Sequence, residues 1–192
     1  MRETQRCGWT RVALAAVLLI GLDRPAAAAS AQTLFQEGPS GGTGGASFND
    51  NNAIASLPAG PFPIQLFIRH GSYIDEIVGV YQSGQPAALT LFHGGTGGTQ
   101  NVVNFGRCEH IDQISGSYGS YVDHMNILTT TSPRFGGTPT QNLSFGGGGG
   151  SVHYVYDAPD GYAIVGFLGR SGSYIDAIGV LIAALPLECR SD

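Results

Sequence analysis

The chain of 192 residues contains no lysine. All nine of its basic residues are arginines, and four of them, Arg2, Arg6, Arg11 and Arg24, fall within the first 31 residues. Residues 32–192 then carry five arginines against twelve carboxylates, a net charge of −7. Such a surface has no basic stripe to neutralise phosphates, which excludes nucleic acid as a partner, and nothing to hold it on an anionic membrane. Its glycine-rich stretches lack the Gly-Lys-Ser/Thr ending of a phosphate-binding loop. Beyond the N-terminal segment no apolar run is long enough to span a bilayer, so no membrane insertion is expected. There are 30 glycines, yet no collagen-like triplet repeat.

Residues 1–31 have a basic start, an apolar run over 12–22 and small residues ending in Ala29-Ser30-Ala31. This pattern predicts a secretory signal peptide cut before Gln32. A membrane anchor fits worse, because the apolar run is short and Asp23-Arg24 interrupts it. The product is expected to be soluble and secreted, either periplasmic or extracellular. Residues 32–192 are enough for a single domain with its own core. With Cys7 in the leader, Cys108 and Cys189 are candidates for a disulfide in an oxidising compartment. The alternative is two separate buried thiols.

What is present is a triplication. Gly71-Ser72-Tyr73-Ile74-Asp75 returns as Gly119-Ser120-Tyr121-Val122-Asp123 and as Gly172-Ser173-Tyr174-Ile175-Asp176, at intervals of 48 and 53 residues. A second motif alternates with it: Gly41-Gly42-Thr43-Gly44-Gly45, Gly94-Gly95-Thr96-Gly97-Gly98 and the run from Gly146 to Gly150. Apolar and β-branched residues alternate around both motifs, and helix signals are weak. Strands are predicted over 66–69, 77–81, 89–92, 111–117, 125–129, 151–156, 164–169 and 178–183. Each pentapeptide reads as the loop between two strands, and each glycine-rich stretch as the turn of a further hairpin. Residues 46–63, with Asn49-Asp50-Asn51-Asn52 and three prolines, read as a long connection. The fold class is all-β.

The pentapeptide has the chemistry of a binding loop. Glycine permits a tight turn whose backbone N–H groups converge, and Asp75, Asp123 and Asp176 add carboxylates that only accept hydrogen bonds. Donors and acceptors side by side suit a neutral polyol, and Tyr73, Tyr121 and Tyr174 offer an aromatic face to the C–H side of a sugar ring. The plainer reading is that each Asp caps its own turn and each Tyr packs on the sheet. Three copies that keep Tyr and Asp in place while the flanking strands differ favour a ligand.

These alternating motifs resemble the jacalin-related lectins, in particular their three-site mannose-binding members. The resemblance is carried by the segments Ile68-Arg69-His70-Gly71-Ser72-Tyr73-Ile74-Asp75 and Gly169-Arg170-Ser171-Gly172-Ser173-Tyr174-Ile175-Asp176. It covers essentially all of residues 32–192. It implies a β-prism I fold, three four-stranded Greek-key sheets with pseudo-threefold symmetry, in which the first glycine-rich loop joins the last strand pair. Gly45 would then serve the site of Tyr174 and Asp176, Gly98 that of Tyr73 and Asp75, and Gly150 that of Tyr121 and Asp123, with Ser72, Ser120 and Ser173 in the same loops. The resemblance further implies mannose- or glucose-type oligosaccharides and glycoproteins as partners, no metal and no other cofactor. A homodimer is left open. Its strand-swapped form does not carry over, because the stretch between Gly45 and Gly71 is longer than in those members.

Other readings are weaker. A glycosidase needs two carboxylates about one bond, whereas the three Asp residues lie one per repeat and the adjacent Asp75 and Glu76 point apart. His70, His93, His110, His124 and His153 lack metal-ligand spacing and read as ordinary loop and strand positions. The expectation is therefore a secreted, non-enzymatic lectin with up to three metal-independent sites. The alternative is a non-catalytic structural or protein-interaction β-prism with vestigial sugar loops.

Overall fold

The computed structural model describes residues 32–84, 87–131 and 139–190. The leader-like segment 1–31 lies outside the described residues, and so does any test of it. Among the described residues, no helix is long and apolar enough to cross a membrane. In chain order the strands are β1 (Phe35–Gly41), β2 (Ala46–Asn49), β3 (Pro63–His70), β4 (Ile74–Gln82), β5 (Ala88–Gly94), β6 (Thr99–Asn104), β7 (Glu109–Tyr118), β8 (Val122–Thr131), β9 (Pro139–Gly146), β10 (Val152–Asp157), β11 (Tyr162–Ser171) and β12 (Ile175–Ala184). Each of the eight sequence-predicted runs overlaps one of them.

All pairing is antiparallel, and it sorts the strands into three sheets of the same plan: β1-β12-β11-β2, β5-β4-β3-β6 and β9-β8-β7-β10. A single bridge between Ile164 and Ile111 connects the first sheet to the third. In every sheet the central hairpin turns through a Gly-Ser-Tyr-x-Asp loop, and the glycine-rich loop joins the two outer strands. Those outer strands do not pair with each other. This corrects the expectation of a glycine-rich hairpin turn: the loop crosses the end of the central hairpin, a span of three inter-strand spacings, roughly 14 Å. A two-residue turn cannot reach that far, whereas about five extended residues can. The result is a Greek key in each sheet.

Strand alternation sends one apolar face of each sheet inward. Leu66, Ile68, Ile74 and Ile77 from the second sheet meet Ile111, Ile114, Val122, Met125 and Ile127 from the third and Ile164, Phe167, Ile175, Ile178 and Val180 from the first, all fully or almost fully buried. Each fully buried Ile or Leu stabilises the fold by about 1.5–3 kcal/mol.

The first sheet is buried on its outer face as well. Nine of the ten residues of β12 are buried, and a second apolar cluster lies over it, in which Ile54, Leu57 and Phe62 join Val165, Leu181, Ala183, Leu185 and Cys189. The stretch read from sequence as a plain connection supplies much of that cover. Its first residues form β2, paired to β11, and they lead into a one-turn helix, α1 (Asn51–Ile54). Asp50 at the helix start makes no side-chain cap. Its carboxylate instead faces His93 Nε2 at 2.7 Å and accepts the Phe167 N–H at 3.2 Å, while His93 stacks on Phe48 at 3.8 Å. Asp50 is thus a buried carboxylate with partners from two sheets, and it anchors the insertion. Cys108 and Cys189 are bonded, closing a loop of 81 residues and fixing the C-terminal tail over the same face.

Candidate functional site

The three pentapeptides fold into the same turn. The N–H of Gly71 donates to the Tyr73 carbonyl at 3.0 Å, that of Gly119 to Tyr121 at 3.0 Å and that of Gly172 to Tyr174 at 2.9 Å. The residue that follows, Ile74, Val122 or Ile175, is 0% exposed and anchors the new strand in the core. The next residue is the aspartate, and here the ladder slips. Arg69 pairs with Glu76 but His70 pairs with Ile74; Ser117 pairs with His124 but Tyr118 with Val122; Arg170 pairs with Ala177 but Ser171 with Ile175. Asp75, Asp123 and Asp176 are therefore the extra residues of three equivalent β-bulges. A bulge re-aims a side chain and leaves a backbone group unpaired. In each copy the second glycine of the glycine-rich loop fills that vacancy: Gly95 N–H reaches the Asp75 carbonyl at 2.9 Å, Gly147 the Asp123 carbonyl at 2.9 Å and Gly42 the Asp176 carbonyl at 2.7 Å.

This bond lays the rest of each glycine-rich loop across its carboxylate. A Cβ on Gly98 would stand 2.6 Å from Asp75 Oδ2, one on Gly150 2.9 Å from Asp123 Oδ2, and one on Gly45 2.5 Å from Asp176 Oδ2. The same three glycines have φ of +61°, +75° and +61°, so both conformation and space demand glycine here. The preceding Gly97, Gly149 and Gly44 are pressed against the other carboxylate oxygen in the same way. The sequence-predicted partners thus stand together: Gly98 with Asp75, Gly150 with Asp123, Gly45 with Asp176.

The loops are held from behind. Arg170 donates from Nε to the Gly44 carbonyl at 2.6 Å and from Nη2 to the Gly45 carbonyl at 2.7 Å. Arg69 makes longer contacts, 3.5 Å to the Thr96 carbonyl and 3.4 Å to that of Gly98, and shares its charge with Glu76 at 3.3 Å. In the third copy Ser117 occupies the equivalent position and donates to the Gly149 carbonyl at 2.8 Å, with His124 Nδ1 3.1 Å from the Gly147 carbonyl. A trans peptide directs its C=O and N–H oppositely, so pinning these carbonyls fixes where the loop N–H groups aim. Sequence reasoning passed over these supports, although an arginine two residues before Gly71 and Gly172 recurs legibly in the repeat.

Asp75, Asp123 and Asp176 are only 5%, 7% and 4% exposed. No described residue donates a hydrogen bond to any of the three carboxylates, yet their oxygens are not sealed from solvent. A nearly buried carboxylate without a protein donor is costly unless hydroxyls from outside reach it. Each copy therefore presents an open acceptor at the base of a glycine-walled cradle. Among the described residues, no group of three His, Cys, Asp or Glu side chains is arranged to hold a metal ion.

The tyrosines do not stand apart as three separate platforms. Tyr73, Tyr121 and Tyr174 are half-buried, and their rings meet one another with centroids 5.0–5.3 Å apart, edge to face or tilted. Ser72, Ser120 and Ser173 are exposed, and each touches the glycine-rich loop of a neighbouring repeat. A Cβ on Gly147 would lie 2.8 Å from the Ser72 carbonyl and one on Gly95 2.7 Å from the Ser173 carbonyl, while Gly42 abuts that of Ser120. The three sites therefore interlock around the axis. Asp75 and Glu76 point apart as predicted: one lies in the cradle, the other pairs with Arg69.

The family model for the jacalin-like lectin domain matches this chain over residues 37–181. Horcolin of Hordeum vulgare is 29% identical over 155 residues, covering 76% of this chain and 94% of its own. A mannose/glucose-specific lectin of Parkia platycephala is 28% identical over 162 residues, covering 82% of this chain and 34% of that larger protein. Among solved structures, the Calsepa lectin in complex with a biantennary N-glycan superposes with a TM-score of 0.60 at 25% identity, over 80% of this chain and 97% of its own. The chain belongs to the jacalin-related lectin family, and its fold is the β-prism of that family.

Proposed function

We propose that this protein is a non-catalytic lectin that takes mannose- or glucose-type residues of oligosaccharides and glycoproteins in three metal-independent cradles built on Asp75, Asp123 and Asp176. The observation that carries the reading is the threefold recurrence of a nearly buried carboxylate, with no donor among the described residues, under a loop whose last two glycines leave no room for a side chain. Vicinal sugar hydroxyls donate to such a carboxylate and accept from the glycine-loop N–H groups, and hydrogen bonds to a charged acceptor are the stronger kind. The names of the relatives agree, since one is a mannose/glucose-specific lectin and a structural neighbour was solved with an N-glycan. A single shallow site is weak, because it exchanges water contacts for equivalent ones. Three on one rigid body gain avidity for branched or clustered glycans. Export with removal of residues 1–31 belongs to the same proposal, supported by the leader pattern and by a disulfide that suits an oxidising compartment.

A glycan array probed with and without excess methyl mannoside tests this reading. Binding confined to mannose- and glucose-type glycans, lost with competitor and indifferent to chelator, is the expected result. A blank array from folded protein would sink it in favour of a structural module, and loss with chelator would replace the metal-free site.

A further inference from the structure

Each cradle is built by two repeats. We infer that Tyr73, which the repeat pattern assigns to Asp75, serves as the extended-site residue of the Asp123 cradle, where its ring receives the second sugar of a mannose-type oligosaccharide. The inference rests on the proposed function and deepens it.

Three observations converge on the seam between the first pentapeptide and the Gly146–Gly150 loop. The N–H of Gly146 donates to His70 Nδ1 at 3.0 Å, so the residue before Gly71 is tied to the start of the neighbouring loop. At Gly147 the same loop passes so close to the Ser72 carbonyl that a Cβ there would stand 2.8 Å from it. Tyr73 itself lines the open concavity that contains Asp123, Gly149, Gly150 and Tyr121. Asp123, the glycine wall and Tyr121 of this cradle come from one repeat, and Tyr73 comes from another. By the cyclic order of the loop contacts, Tyr121 stands in the same relation to Asp176, and Tyr174 to Asp75.

The carboxylate end of the cradle is matched to the hydroxyls of one hexose. Beyond it the wall is aromatic and half-buried, which suits the C–H face of a neighbouring ring better than further hydroxyls. The Tyr73 side chain therefore contributes little to a monosaccharide and more to a disaccharide.

The test is carried out in the full-length protein with one cradle left intact at a time. In the D75N/D176N protein, which retains only Asp123, Tyr73→Ala is expected to weaken a mannose disaccharide on the order of five- to tenfold while changing methyl mannoside by less than about twofold. In the D123N/D176N protein, which retains only Asp75, the same substitution is expected to reduce the disaccharide preference far less. Tyr73→Phe keeps the ring contacts at the axis and is expected to retain most of the disaccharide preference, separating a binding role from disturbed packing. If the Asp123-only protein binds both sugars and Tyr73→Ala leaves their ratio unchanged, or if the loss falls on the Asp75-only protein instead, the assignment is overturned while the lectin reading stands. If the Asp123-only protein binds neither sugar although it is folded, the reading of that cradle as a sugar site fails, and the inference fails with it.

Discussion

At the loop end of the prism the chain repeats itself, whereas on the outer face of the β1-β12-β11-β2 sheet it does nothing twice. Three bulged aspartates, three glycine walls and three tyrosines follow one plan in the first region. The second is made of single features: the α1 insertion with Ile54 and Asp50, the C-terminal tail and the Cys108–Cys189 bond. Symmetry is kept where three carboxylates are left open, and it is broken where apolar surface must be covered. On the proposed function, ligand affinity and fold stability fall to different residues, and substitutions can separate them.

The largest expected effect is the combined Asp75→Asn, Asp123→Asn and Asp176→Asn exchange. It is expected to reduce binding on a mannose column to background with no change in melting temperature, and retained binding would contradict the site assignment. Gly98→Ala is expected to close only the Asp75 cradle, because a methyl group at φ +61° would stand 2.6 Å from the carboxylate; counting sites by titration calorimetry checks this. On the other region the sign reverses. Ile54→Ala opens a hole in the second apolar cluster and is expected to cost about 2–5 kcal/mol in denaturant unfolding, and loss of the disulfide by paired Cys→Ser exchange costs a similar amount, about 2–5 kcal/mol. Sugar affinity at saturating fold is expected to be unchanged in both. A change in affinity would show that the two regions are coupled.

Smaller effects sharpen the comparison within the loop end. Arg170→Ala removes two short bonds to the Gly44 and Gly45 carbonyls, and a loss of about three- to tenfold at the Asp176 cradle is expected in a single-site background. Arg69→Ala removes longer contacts and is expected to cost less at the Asp75 cradle. Equal losses would mean that the arginines act through charge and not through loop geometry.

The smallest effect is a pH dependence of stability at Glu109. Burial alone would raise its pKa, but hydrogen bonds from Thr129, Gln141 and the Gly106 N–H outweigh it and hold the carboxyl below its ordinary range. A carboxyl lowered in the fold stabilises it at pH above the unfolded-state value, and that contribution fades as pH falls through the folded value. Glu109→Gln is expected to flatten the acid side of a melting-temperature profile slightly. Binding is expected to be untouched.

How much of this was legible in the chain differs from element to element. The strands could be read because alternation of small, polar and β-branched residues is a local property, and Leu66, Ile114 and Ile178 fall inward as that alternation demands. The pairing of each aspartate with its glycine-rich loop came from family resemblance, not from spacing. The insertion was missed because Asp50 reads as a loop residue until its partners, His93 and Phe167, are brought to it from far along the chain. The bulges were missed for a related reason: an extra residue is defined only against the strand opposite.

The sequence by itself determined the threefold repetition, the all-β class, the absence of a basic surface and the glycines that allow a loop to lie flat on a carboxylate. These follow from composition, periodicity and steric permission, all of which a chain carries before it folds. Only the tertiary structure decided that the glycine-rich loops cross hairpins instead of closing them, that the aspartates are bulged and left without a donor among the described residues, and that Cys108 meets Cys189. It also brought each tyrosine to the border of two repeats. The reason is physical: a crossing loop, a disulfide and a shared wall are relations between segments some 20 to 130 residues apart, which meet only once the sheets have closed around their common core, and a bulge, although its two strands are neighbours in sequence, exists only in the register they adopt.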